Sequence, residues 1–262
     1  MELPDFSSPE WIVINTVIFF IVITGRYFLL SGLFYAIFYI WYPEKWKSRK
    51  INNREFKKGQ LKTEIKWSML SAAIFAVTAA ATVIIWQKGY TKVYTTIALS
   101  DWWYFPLSLI IYMLLQETYY YWIHRWMHIP RIFLIVHKVH HDSKISSPFT
   151  AFSFHPIEAL LQAVFIPVLL MIIPIHLYVI IALLTIMSLS SVVNHLDIEI
   201  YPEGSQNNFS KWVIGATHHA QHHQRYKYNF GLYFTIWDRL KKTESPDFNN
   251  VFVQKTKQQV KS

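Results

Sequence analysis

Nine of the twelve histidines in this chain of 262 residues lie in three short runs. The runs read HRWMH at 124–128, HKVHH at 137–141 and HHAQHH at 218–223. Within each run, histidines recur three or four positions apart, which places imidazoles on one face of a helix, one turn apart. A metal site built from helices needs this spacing, because two ring nitrogens must converge on one point. The runs therefore predict metal binding.

The kind of metal site is narrowed by what the chain contains. Imidazole nitrogen suits Zn, Cu, Fe and Ni. There is no cysteine, which excludes thiolate ligands, iron–sulfur clusters, disulfides and cysteine nucleophiles. A catalytic zinc takes three protein ligands, so the runs hold too many histidines for one ion. The Glu-x-x-His motif of soluble di-iron bundles is missing. The residues predict an all-nitrogen dinuclear site and leave the metal open.

The elements that position these histidines are predicted to be membrane helices. Hydrophobic residues make up 53% of the chain and charged residues 16%, which is too few charges for a typical soluble domain. The fold class is therefore all-α, a multi-pass helical membrane protein with about four or five spans. The apolar stretches are Trp11–Tyr42, Trp67–Trp86, Trp102–Ile123 and Pro156–Val193.

Two of these stretches exceed one span. The last contains Pro167 and Pro174, and IIPIH at 172–176 is typical of a hairpin turn, because proline breaks helices. We interpret the first stretch as one overlong or tilted helix; a short interfacial helix followed by one span is the alternative. Arg26 lies inside it, at a cost of about 2.5–3.5 kcal/mol on insertion scales. We expect it to reach the interface or to pair with a buried acceptor.

Loop charges predict the sidedness. Residues 43–66 hold nine Lys or Arg against three acids, whereas loop 87–101 has two lysines. Because basic loops stay in the cytoplasm, 43–66, 124–155 and 194–262 are predicted to be cytoplasmic and 87–101 external. All three runs then meet on the cytoplasmic face in a histidine-rich helical cap. A bacterial inner membrane and the endoplasmic reticulum both remain open.

The three runs resemble the histidine boxes of the sterol desaturase/fatty acid hydroxylase superfamily. SSPFTAFSFHPIEALLQ at 146–162 and GATHHAQHHQRYKYNFGLYFTIWDRL at 215–240 are similar to its C-5 sterol desaturase branch. The resemblance covers about residues 115–242. It implies a membrane enzyme with two Fe ions that uses O2 to desaturate or hydroxylate an unactivated C–H bond of a lipid. A sterol-like substrate is favoured; another lipid hydroxylase or monooxygenase of the superfamily is the alternative.

The resemblance also implies the iron ligands, including one outside the runs in NHLD. The implied ligands are His124, His128, His137, His140, His141, His195, His219, His222 and His223. Fatty acid 2-hydroxylases carry a further histidine where this chain has Ser191, which argues against that branch.

Five more residues are candidates to orient a ligand or to join the ligands: His218, His155, Glu158, Glu117 and Asp197. His155 is expected to orient a ligand, because ligating imidazoles usually donate their other N–H to a neighbour. Asp197 is expected beside His195, and Glu117 on the helical face of His124. His176 is placed at the far turn of the hairpin, away from the metal.

The expected domains are N-terminal spans at 1–100, a catalytic region at 101–245 and a polar basic tail at 246–262. The chain shows no Gly-rich dinucleotide motif, so an external electron donor resembling cytochrome b5 or ferredoxin is implied. The basic face could dock such a carrier, although the positive-inside rule explains most of its lysines. No nucleic-acid partner is expected. The alternatives are a histidine-rich metal transporter, a membrane cytochrome and, more weakly, a zinc hydrolase or structural protein.

Overall fold

The computed structural model describes residues 3–98 and 102–257. The end of the predicted loop 87–101 and the end of the predicted tail 246–262 lie outside the described residues. The fold is predominantly helical, as predicted. The α-helices in the described part of the chain are α1 (Pro9–Tyr35), α2 (Pro43–Trp46), α3 (Gln60–Gln87), α4 (Tyr104–Met127), α5 (Pro130–Ile132), α6 (Lys138–His141), α7 (Pro156–Ile172), α8 (Leu177–Asn194), α9 (Ala216–Arg225), α10 (Ile236–Leu240) and α11 (Phe248–Thr256).

Three helical segments are long and apolar enough to cross a membrane: Pro9–Trp41, α3 and α8. This confirms a multi-pass helical membrane protein. Helix α7 is apolar but has 17 residues. Helix α4 has 24 residues and carries Gln116 and Glu117. The predicted crossings at these two helices remain predictions.

The first apolar stretch forms one continuous helix of 33 residues, because α1 runs on into a π-helical segment at Ala36–Trp41. At about 1.5 Å per residue it is longer than the ~30 Å hydrocarbon core requires. The interpretation as one overlong helix is therefore correct, and the alternative of an interfacial helix followed by a span is wrong.

The predicted hairpin is formed by α7 and α8. Pro167 stays inside α7, and the chain turns at Ile173–His176. Two short parallel strands, β1 (Val93–Tyr94) and β2 (Ile175–His176), join this turn to the segment after α3. The Tyr104 hydroxyl donates to the Pro174 carbonyl at 2.8 Å, which brings the start of α4 to the same end.

The chain thus has two distinct ends. At one end, the Phe6 amide donates to Gln87 Oε1 at 2.8 Å, beside the β1–β2 pair. At the other, the Ile51 amide donates to the Asp197 carbonyl at 2.9 Å. The helices alternate in direction between these ends, so the last turn of α4, the last turn of α8 and the start of α7 lie together. This arrangement brings the histidine runs to one end, as the sequence predicts.

Candidate metal centre

Four parts of the chain deliver the histidines. His124 lies in the last turn of α4, and His128 caps its C-terminus. His137 ends a π-helical segment, Phe133–His137, that leads directly into α6. π-Helical turns are rare and recur at functional sites, because one extra residue shifts the side chains that follow. His195 caps the C-terminus of α8, and the third run forms α9.

The structure brings nine histidines into two adjacent groups. The first, here the five-histidine group, contains His124, His128, His137, His141 and His222. The second, the four-histidine group, contains His140, His195, His219 and His223. In each group the ligand atoms lie within 4.8 Å of one another. Opposite ligands at about 2.1 Å from an ion are about 4.2 Å apart, so each group has the dimensions of a metal site.

Backbone carbonyls fix the orientation of five of these rings. Because a carbonyl can only accept, each ring must carry its proton on Nδ1 and present Nε2 as a lone pair. The Nδ1–O pairs are His124 with Phe230 (2.8 Å), His140 with Ser153 (3.3 Å), His195 with Ser191 (2.7 Å), His222 with Tyr228 (2.7 Å) and His223 with Ser143 (3.1 Å).

These lone pairs face one another. Nε2 of His195 lies 3.1 Å from Nε2 of His140, and both rings donate through Nδ1. Two facing lone pairs repel unless a cation lies between them. A proton is disfavoured, because burial, followed by the neighbouring imidazoles, lowers the pKa of His140 well below its usual range. Burial also lowers the pKa of His195 to about 4. Neutral, convergent imidazoles are the form that binds a metal ion.

The separations between neighbouring Nε2 atoms also agree with metal binding. They are 3.1 Å for His124 and His137, and 3.1 Å for His141 and His222. Neighbouring nitrogens bound to one ion at about 2.0–2.1 Å are about 2.8–3.4 Å apart in octahedral or tetrahedral sites. The Nε2 atom of His128 is buried and has no hydrogen-bond partner among the described residues, which fits the role of a metal ligand. The residues fit two metal ions with nitrogen ligands.

One carboxylate contacts a histidine of these groups. Glu158 Oε1 lies 2.9 Å from Nδ1 of His137, and both side chains are fully buried. Glu158 therefore lies beside a member of the five-histidine group, and its role in orienting that ligand stays a prediction. His155 does not take that role: it caps the N-terminus of α7, where its Nδ1 accepts from the Ile157 amide.

The remaining candidates lie one step further away. Glu117 accepts hydrogen bonds from the amides of Leu232, Tyr233 and Phe234. It thereby fixes the loop whose Phe230 carbonyl orients His124. Asp197 was expected beside His195, but its carboxylate accepts a hydrogen bond from Asn52.

His218 also lies outside both groups. Its ring stacks on Phe248 at a centroid distance of 3.6 Å, and its Nε2 lies 3.8 Å from Glu244. His176 caps the N-terminus of α8 at the opposite end, with Nδ1 accepting from the Tyr178 amide.

Sequence reasoning missed Glu64, which is buried in the first turns of α3. Its carboxylate accepts from Ser143 at 2.7 Å and from Thr150 at 2.9 Å. Ser147 donates to it as well. The Ser143 carbonyl orients His223, so Glu64 holds the loop between the second run and α7 in place. In the sequence, Glu64 appears only as one of the three acids of the basic segment 43–66, and nothing in its local pattern marks it as buried.

A cavity of about 830 Å³ connects the two ends of the molecule. Its lining is mostly apolar and comes largely from α1, α3, α4, α7 and α8. It extends from Leu3 and Trp86 at the far end to His195 and His219. Among the described residues, no member of the five-histidine group lines it.

This arrangement disfavours two alternatives. A haem held by two histidines needs room for a porphyrin ring between them. In each group the ligand atoms of four or five histidines lie within 4.8 Å of one another, so the other imidazoles occupy the space that a porphyrin would need. A transporter would place its ligands near the middle of the spans, whereas these lie at helix ends.

The fold and the two groups define a helical membrane protein with a candidate metal centre made of imidazoles. The family model for fatty acid hydroxylases matches residues 109–243, and the chain belongs to that family. Rat lathosterol oxidase is 27% identical over 236 residues, which cover 88% of this chain and 76% of the rat protein. Human lathosterol oxidase is 30% identical over 188 residues, 71% of this chain and 62% of the human protein.

A fungal protein extends the similarity to the sterol desaturase branch. The Delta(7)-sterol 5(6)-desaturase of Leptosphaeria maculans is 27% identical over 215 residues, covering 82% of this chain and 56% of the fungal protein. No solved structure shows a significant match. The expected superfamily and branch are both supported.

Proposed function

We propose that this chain is a membrane-bound oxidoreductase with two iron ions that uses O2 to desaturate or hydroxylate a lipid. A sterol-like substrate is favoured by the names of its relatives. The observation that carries the proposal is the contact between a histidine group and a long apolar cavity: His195 and His219 belong to both. A lipid in that cavity has its reacting carbon beside the metal and the rest of its length among the helices.

The nine histidines of the two groups would hold the iron, within a catalytic region at 101–245. When bound, two iron ions supply the oxidising chemistry that breaks an unactivated C–H bond with O2 and two external electrons. The protein contributes neutral, preoriented imidazoles, a dry channel and a fixed position for the lipid carbon. Whether an alkene or an alcohol results depends on that position.

The direct test is metal and lipid analysis of the purified protein. We expect two iron ions per chain and no haem absorption. With a reductant, an electron carrier and O2, a lipid should lose two hydrogens or gain one oxygen by mass spectrometry. One ion per chain, a haem spectrum, or unchanged lipids under all donors would overturn the proposal.

We also propose that the histidine end faces the cytoplasm, where a cytochrome b5-like or ferredoxin-like donor would deliver electrons. The support is the lopsided charge of 43–66 against 87–101. Because the native chain has no cysteine, single cysteines report sidedness cleanly. Cysteines at the exposed positions Asn53 and Gln254 should react with impermeant reagents from the cytoplasm, and at Thr95 from outside. Labelling of Thr95 and Gln254 from the same side would refute this topology.

A further inference from the structure

Arg26 lines the cavity from the middle of α1. It shares one helical face with Asn15, Phe19, Val22 and Ile23, which line the same cavity. The spacing of four, three, one and three positions is that of a single helical face. The guanidinium group is therefore directed into the space that the proposed lipid would fill.

Arg26 lacks a partner in the described part of the chain. Its Nε is buried without a hydrogen bond. The three buried carboxylates of the neighbouring helices contact other groups. Glu64 accepts from Ser143, Glu117 accepts from the amides of residues 232–234, and Glu158 lies beside His137. The expected buried acceptor is thus missing among the described residues. An isolated cation at this depth is costly, so a partner from outside the described residues is expected to compensate it.

A second polar group on this face lacks a partner among the described residues. The Nδ2 of Asn15 is buried there without a hydrogen bond. It lies eleven residues from Arg26, which corresponds to about 16 Å along a helix. Thr78 and Thr82 across the cavity, in contrast, donate to carbonyls of their own helix. In the described part of the chain, α1 thus presents two unsatisfied donors to the cavity, Arg26 Nε and Asn15 Nδ2.

The contacts of the adjacent Tyr27 show where along the cavity Arg26 lies. The Tyr27 hydroxyl donates to the Phe149 carbonyl at 2.9 Å, and its ring stacks on Phe152. Phe152 and Phe154 belong to the segment that follows the second histidine run, and Phe154 contacts His140 at a ring distance of 5.0 Å. Arg26 thus lies in the half of the cavity nearer to the histidines.

We propose that Arg26 binds an anionic oxygen group of the lipid in the cavity, a carboxylate or a phosphate ester. A guanidinium pairs with either through two parallel hydrogen bonds. A neutral lipid would leave the cation uncompensated. The inference rests on the proposed function in taking this cavity as the lipid site. It narrows the substrate to an acidic lipid oxidised near its charged group, so a sterol would fit only as a derivative that carries an anionic group.

Binding can be measured without turnover on the full-length protein purified with its iron, in the absence of a reductant. Trp86 lines the cavity, so a brominated lipid there quenches its fluorescence. A Trp86→Phe variant provides the background from the other tryptophans. The probes are a dibrominated C18 fatty acid in ionised form, its methyl ester, and a single-chain phosphate monoester of the same length. The acid and the ester differ only in charge at the headgroup.

We expect the wild-type protein to bind the acid or the phosphate about 10- to 100-fold more tightly than the ester. Arg26→Gln should abolish this preference, and Arg26→Lys should keep part of it. Arg54→Gln removes an exposed arginine outside the cavity and should keep the ratio. The iron content of Arg26→Gln should equal that of the wild type, which shows that the variant is folded.

If the protein prefers the acid, the anionic group bound by Arg26 is a carboxylate. If it prefers only the phosphate probe, that group is a phosphate ester. Equal binding of all three probes by the wild type, or a preserved preference in Arg26→Gln, would overturn the inference. A preference that depends on Arg26 in a protein that oxidises no lipid would instead refute the proposed function and leave the anion site standing.

Discussion

The five-histidine group and the four-histidine group lie side by side, yet they have different surroundings. The four-histidine group borders the cavity through His195 and His219 and is oriented by backbone carbonyls. The five-histidine group is set back from the cavity, and His137 is paired with the Glu158 carboxylate. Four nitrogen ligands leave more coordination positions open than five do. Under the proposed function, an ion held by the four-histidine group would face the lipid, and an ion held by the five-histidine group would be more enclosed and more tightly bound.

Removing a ligand from the cavity-facing group should have the largest effect. In His195→Ala we expect the iron content to fall from two ions to about one and lipid oxidation to cease, because one of four ligands is lost. His140→Ala should behave in the same way. Iron analysis and a lipid turnover assay measure both outcomes.

His176→Ala is the matched control for this experiment, since His176 caps α8 at the other end. It should keep both ions and lose about 1 kcal/mol of stability, as typical for a lost N-cap. Wild-type iron content in His195→Ala would show that His195 is not an iron ligand.

Neutralising Glu158, the carboxylate beside the five-histidine group, should have an intermediate effect. Glu158→Gln keeps the shape but removes the charge that raises the basicity of His137. We expect the iron affinity of the five-histidine group to fall about 10- to 100-fold, as for other partners of ligating histidines. Chelator competition, which resolves a tight and a weak ion, measures the change.

Asp142→Asn removes an exposed carboxylate that pairs with Lys138 beside the same run, and it should leave both affinities unchanged. If Glu158→Gln weakens the other ion instead, the proposed difference between the groups is reversed.

The smallest effect is expected from Glu64→Gln, which acts on the four-histidine group through Ser143 and His223. An amide can accept fewer hydrogen bonds than a carboxylate, so the loop after the second run should loosen. We predict a roughly threefold to tenfold weaker ion in the four-histidine group, in line with the loss of one hydrogen bond. The other ion should be unaffected, and Glu55→Gln, at an exposed position, should change neither. Equal weakening of both ions would mean that Glu64 supports the whole fold rather than one group.

The sequence predicts the helices well because their signals are local. Apolar length identifies α1, α3 and α8, and Pro174 identifies the hairpin turn. Helical spacing within each run indicates which histidines share a face. These features depend on residues a few positions apart, and they need no knowledge of the packing.

The division of the histidines into five and four is not visible in the sequence. His140 and His141 are adjacent, yet they belong to different groups. The division depends on how α9 and the end of α8 approach α6, over separations of many residues. The same reason explains why Glu158 rather than His155 reaches His137, and why Glu64 escaped notice.

The ligands of each group come from distant parts of the chain, and this has a consequence for how the protein is assembled. The five-histidine group joins His124 to His222 across nearly a hundred residues, in a chain without cysteine. An ion there restricts the unfolded chain as a long-range disulfide does, by closing a large loop. Iron supply would then control the survival of the protein as well as its activity. A chain starved of iron would keep its spans in the bilayer, while its histidine end opens and becomes a substrate for proteolysis.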